Sequence, residues 1–301
     1  MSRSAIALLV LAALSAGAQQ DRGRPVVLLV HGRGMLDRDT AATRKMWSSA
    51  LTEALHGLTP SSPITDRDIR AVWYADVLDP RSTLGCEYAR TDPRARRERA
   101  DDQQFKGVVG VVGNLLGALT LMVSDSESGT EIRSLAADAS FLSDGRKRCA
   151  SENRLAAELD RARQEGRPVI LVAHSLGSLV AYDYLSSRSD SGVVRRFITV
   201  GSPIGSPDIR RLLIGGDSTD VLTRPSSVGD WVNIRNENDP FAVPLPIGRD
   251  LIVTPPADET DPHELVGYLR GSATVREVLS GWCAAFSSVT RPAACRDATG
   301  K

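Results

Sequence analysis

Ser175 has the setting of a nucleophile. The apolar run 169–173 reads as a strand buried on both faces, and it stops at His174-Ser175-Leu176-Gly177 before a helical segment at 178–186. A serine at such a strand-turn-helix corner stands clear of its sheet. Small residues two before and two after it, here Ala173 and Gly177, let the backbone turn without a clash. A serine hydroxyl is a poor nucleophile until a base takes its proton. The chain has four histidines: His31, His56, His174 and His263. His56 falls in a predicted helix, and His31 and His174 belong to turns with other work, which leaves His263. The acid that would orient its imidazole is expected just past a strand, where Asp239 lies, with Glu237 and Asp230 the nearest alternatives. Asp258 and Asp261 stand closer to His263 in sequence than strand-separated geometry favours. A developing oxyanion needs backbone donors. The amide of Leu176, next after the nucleophile, supplies one, and the loop His31-Gly32-Arg33 supplies the other through Arg33.

The elements that must position these residues follow from the apolar pattern. Strands are predicted at 25–30, 69–74, 169–173, 196–200, 231–235 and 251–254, and helices at 40–56, 151–164, 178–186 and 274–286. Strands separated by helices imply crossover connections and hence a parallel, doubly wound α/β sheet. Ligands of such sheets collect beyond the carboxyl ends of the strands, and each motif above falls at one of those ends.

Composition supports one globular domain. The chain has 301 residues, 42% hydrophobic and 25% charged, with 37 basic and 37 acidic side chains, so no global field would recruit nucleic acid. Arg3, an apolar stretch at 5–14 and Ala16-Gly17-Ala18 form a signal-peptide pattern. The apolar core is about half the length a spanning helix needs. Removal of residues 1–18 is expected, with the mature chain 19–301 secreted or periplasmic and without a transmembrane helix. Export makes Cys86, Cys149, Cys283 and Cys295 readable as disulfides. Of three possible connectivities, the short loop Cys283–Cys295 is favoured, and elimination then pairs Cys86 with Cys149. Neither zinc-like spacing nor a phosphate-loop pattern is present, so no metal or cofactor is expected.

Together His31-Gly32-Arg33-Gly34, Ala173-His174-Ser175-Leu176-Gly177, Gly201-Ser202-Pro203, Asp239-Pro240 and His263 resemble the α/β-hydrolase superfamily, and within it secreted bacterial lipases and esterases. The resemblance covers residues 25–60 and 150–290. It implies ester hydrolysis through an acyl-enzyme, with Ser175, Asp239 and His263 as the triad. The segment 79–149 interrupts the alternation where these enzymes carry a cap or lid. Within it, the largely apolar stretch 104–124 reads as a buried cap helix or as a lid touching lipid interfaces. An ester or lipid substrate is therefore expected. Thioester or peptide cleavage on the same triad, and a catalytically silent binding module on this scaffold, are the alternatives, since a fold does not fix the leaving group.

Overall fold

Val26–Val30 (β1) is a run of five buried aliphatic residues, and it forms the interior of the sheet because it has neighbours on both sides. The computed structural model describes residues 23–89, 91–92, 94–95, 140–188, 193–214, 222–254, 256–286 and 291–298; the expected leader 1–18 and the segment 104–124 lie outside the described residues. β1 pairs in parallel with β2 (Ile69–Val72) on one side and with β3 (Val169–His174) on the other. The sheet continues through β4 (Val194–Val200), β5 (Val228–Arg235) and β6 (Arg249–Ile252), in the order β2-β1-β3-β4-β5-β6, and all five pairings are parallel. After β1 the chain moves outward to β2 and then returns past β1 to lay down β3. The strand order therefore reverses between β1 and β3, and a crevice opens at their carboxyl ends.

The helices are α1 (Thr40–Leu58), α2 (Ala75–Leu78), α3 (Gly145–Gln164), α4 (Leu176–Ser186), α5 (Pro207–Ile214), α6 (Leu265–Arg270), α7 (Ser272–Ala284) and α8 (Ala293–Ala298). Alternate strand residues feed two cores, as the two-residue period of a strand requires. Val27, Leu29, Ile170 and Val172 pack with Trp47 and Leu51 of α1 and with Val278 and Trp282 of α7. Val26, Leu28, Val30 and Leu171 pack with Leu155 and Leu159 of α3 and Leu179 of α4. This is the helix-flanked parallel sheet of the α/β-hydrolase fold.

Several boundaries differ from the sequence reading, among them the starts of β4, at Val194 rather than 196, and of β5, at Val228 rather than 231. α3 starts at Gly145 rather than at 151, because the Asp144 side chain accepts the Arg146 and Lys147 amides and caps the helix earlier. The end of the segment assigned to the insertion is thus already crossover helix. β2 closes at Val72, since the next amides turn away and Tyr74 N–H donates to His31 Nε2 at 3.1 Å. The last strand occupies Arg249–Ile252, two residues before the expected span.

Cys86 is bonded to Cys149 and Cys283 to Cys295. The first bridge ties the chain that follows α2 to α3 across 63 residues, and loop closure of that length stabilises by about 4 kcal/mol in the chain-entropy account. At the opposite end of the sheet, fully buried Asp68 accepts from Arg24 Nε at 2.7 Å and from Arg167 Nη2 at 2.9 Å. That carboxylate joins the chain entering β1, β2 and β3, so the three strands around the crevice share one anchor.

Candidate active site

Ser175 sits between β3 and α4 with φ 49° and ψ −124°, and it is the one residue other than glycine with positive φ among the described residues. Such a conformation is strained for a residue with a Cβ and persists only where its surroundings over-determine it. Close packing does so here. A Cβ built on Gly177 would stand 2.3 Å from the His31 carbonyl oxygen and 2.8 Å from that of Val30. A Cβ on Gly32 would stand 2.7 Å from His174 Nδ1 and 2.8 Å from Ser175 Cβ. Glycine at both positions lets the end of β1 and the start of α4 touch.

The hydroxyl of Ser175 lies 2.9 Å from His263 Nε2, although 88 residues separate them in sequence. His263 Nδ1 lies 2.8 Å from Asp239 Oδ2 and 3.0 Å from Oδ1. A carboxylate can only accept, so Nδ1 carries the proton and Nε2 is free to take one from Ser175. Asp239 is buried, and burial alone would raise its carboxyl. Donors from His263, from the Tyr268 hydroxyl and from the Phe241 amide overcome that and hold it below the usual carboxylate range. Among the alternative acids, Asp261 accepts the His263 amide at 2.8 Å and Asp258 pairs with Arg270 at 2.9 Å. Asp230 reaches Arg196 and Arg249.

The other two histidines near the site are held neutral. His31 stacks on Tyr74 at 4.1 Å and offers Nδ1–H to the Gly32 carbonyl at 2.6 Å. His174 donates Nε2–H to the carbonyl of His263 at 2.7 Å and so supports the loop that carries the imidazole. Burial, which penalises the charged imidazolium, pushes His31 down to about 4 and His174 down to about 3. A histidine kept neutral in the fold but free to protonate when unfolded loses stability as pH falls below 6.5. The loss continues down to its folded value. Between pH 7.5 and 5 each therefore removes about 2 kcal/mol. Chemical denaturation of the wild type and of His174→Gln across that range should show the variant's pH dependence reduced by about 2 kcal/mol; parallel curves would mean that His174 is solvated.

The Gly201-Ser202-Pro203 turn completes the framework. Gly201 has φ 55°, and a Cβ there would meet Asp239 Oδ2 and Tyr268 Cε2 at 3.0 Å. Ser178 Oγ donates to the Ser175 carbonyl at 2.5 Å and faces Ser202 Oγ at 2.6 Å, tying this turn to the strand-turn-helix corner at Ser175, the nucleophile elbow. Leu176 opens α4, and Arg33 belongs to the facing loop, with its guanidinium 4.4 Å over the Phe241 ring. That ring lies 4.6 Å from His263. Tyr268 and Phe241 escape sequence reasoning, because an aromatic on a helical stripe or beside a proline reads as core. The spacing of Tyr268 five residues past His263 is the only local signal. No group of potential metal ligands occurs among the described residues.

As a unit, a hydroxyl, an imidazole and a carboxylate in this order can deliver an activated oxygen nucleophile to an electrophilic carbon. No curated relative matches the chain. Residues 151–235, from α3 through the elbow to the end of β5, are similar to the lecithin:cholesterol acyltransferase family, an α/β-hydrolase-type lipase family.

Proposed function

We propose that the protein is an exported serine ester hydrolase of lipase type, working through an acyl-enzyme on Ser175. The observation that carries the reading is the strained Ser175 with its hydroxyl 2.9 Å from an imidazole whose other nitrogen is 2.8 Å from Asp239. In acylation Ser175 Oγ bonds to the ester carbonyl carbon while its proton passes to His263 Nε2. The Arg33 and Leu176 amides receive the oxyanion, and Asp239 faces the imidazolium. The carbon–alkoxy bond then breaks and His263 gives its proton to the departing alkoxide. Water repeats the sequence to free the carboxylic acid and restore Ser175. The likeness of residues 151–235 to a lipid-acting family supports a lipid ester as substrate.

Two disulfides fit export. In this reading residues 1–18 are cleaved, 19–301 form one domain, and the insertion that starts at 79 and ends where α3 begins caps the crevice.

A second outcome for the same acyl-enzyme is transfer to an alcohol in place of water, which the name of the similar family favours. The first test is fluorophosphonate treatment of the mature protein, with the adduct mapped by mass spectrometry. Labelling at Ser175 that disappears in Ser175→Ala is expected. A folded wild type that stays unlabelled, with and without detergent, would remove the esterase reading. Adding an alcohol acceptor to an ester assay, and measuring new ester against free acid, separates transfer from hydrolysis.

A further inference from the structure

We infer that Tyr268 is a positioning residue of this site, which locks Asp239 to the segment carrying His263. The inference rests on the triad proposed above. Tyr268 is a buried residue of α6, the short helix that begins immediately after the His263 turn. Its hydroxyl has two polar neighbours. One is the amide of Asn236 at the end of β5, 3.0 Å away, and the other is Asp239 Oδ2 at 2.6 Å.

These partners leave no choice of direction. An amide can only donate, so the phenol oxygen accepts from Asn236. An ionised carboxylate can only accept, so the phenol proton points at Asp239. Burial and the facing carboxylate both push the phenol up, so that proton stays in place at any pH of use. The chain of donors therefore runs from the backbone after β5, through Tyr268, to the oxygen that also receives His263 Nδ1–H.

The ring is fixed as firmly as the hydroxyl. It lies against Gly201 on one side, where a Cβ would approach Cε2 to 3.0 Å, and near the His174 ring at 6.0 Å. Phe241 N–H fills a lone pair of Oδ1 at 2.8 Å. Tyr268 of α6 and Phe241 of the loop after β5 thus hold the two carboxylate oxygens from two separate segments, leaving a single orientation in which both face the imidazole. Without the hydroxyl, Oδ2 keeps His263 alone and the carboxylate gains freedom to rotate. The base then spends less time aligned with Ser175, while nothing that contacts substrate has changed.

Tyr268→Phe keeps the ring and removes only the hydroxyl. On a soluble ester we expect kcat to fall about tenfold with KM within about twofold of wild type, since alignment and not substrate contact is lost. The rate of fluorophosphonate labelling should fall in parallel. The deciding comparison repeats the change in Asp239→Asn, reading labelling rates. If Tyr268 acts through Asp239, the second substitution adds no further loss there. An equal loss in both backgrounds, or a kcat within twofold of wild type in the single variant, would overturn the inference. Failure of wild type to label at Ser175 would instead remove the triad on which it rests.

Discussion

Asp239→Asn is expected to lower kcat on a soluble ester by about 10⁴-fold while the protein remains folded. The size follows from which atoms can donate. Four hydrogen bonds converge on the carboxylate: His263 Nδ1–H to both oxygens, Phe241 N–H to Oδ1, and Tyr268 O–H to Oδ2. Every one has the carboxylate as acceptor. An asparagine offers one acceptor and one donor in the same shape. If its oxygen stays with the Phe241 amide, its NH₂ faces Tyr268 and His263. The imidazole then meets a donor and must turn its lone pair towards residue 239. Its proton moves to Nε2, the atom 2.9 Å from Ser175 Oγ, which can no longer take a proton. The variant therefore keeps the geometry but has the wrong tautomer. His263→Ala should lose as much or more, and combining the two should add almost nothing, because residues that act as a unit are non-additive. Steady-state kinetics with a matched thermal melt would check this. An Asp239→Asn enzyme within about tenfold of wild type would assign the acid elsewhere.

Much of this arrangement is legible in the chain because it depends on strand ends. Ser175, Asp239 and His263 each follow a run of apolar residues, and in a doubly wound sheet those runs must finish on one edge. The order of the strands then brings residues 88 apart in sequence to 2.9 Å. The long flanking helices are equally legible, as in α1, where Trp47, Leu51 and Leu55 recur at the helical period and all are buried, whereas the short α2, α5, α6 and α8 are not among the predicted helices. What could not be read is the network behind the site. Nothing local shows that the phenol of Tyr268 meets Asp239, or that His174 donates to the carbonyl of His263 rather than serving as base. Both depend on which faces of α6 and β3 meet, a long-range packing outcome. The α3 boundary was misjudged for a smaller reason: residues 145–150 hold charged side chains that hide the helical stripe, and Asp144 supplies the cap.

Gly177→Ala should be the most damaging single methyl that can be added near the site. In an ordinary first turn of helix, alanine is better than glycine by roughly 1 kcal/mol. Here the added carbon would lie 2.3 Å from the oxygen of His31, 2.8 Å from that of Val30 and 3.1 Å from the carbon of His31. All three are backbone atoms at the end of a central strand, so no side-chain rotation can make room. Either α4 lifts away from β1 or the loop after β1 moves, by about 1 Å in each case. Overpacking of this kind typically costs 1–3 kcal/mol, which outweighs the propensity gain. The functional loss should be larger than the stability loss. Leu176 lies on one side of the strained contact and Arg33 on the other, and these carry the two proposed oxyanion donors. Separating them weakens both hydrogen bonds to the transition state at once, and loss of one such donor alone slows catalysis about 10²- to 10³-fold. We therefore expect kcat to fall by at least about 10² at temperatures where the variant is still folded. Gly57→Ala is the matched control, because nothing lies within 4 Å of a Cβ at that position near the end of α1. It should leave kcat unchanged and raise stability by up to about 1 kcal/mol. If Gly177→Ala melts lower but turns over normally, the oxyanion donors do not straddle this contact, and the loop after β1 has another role.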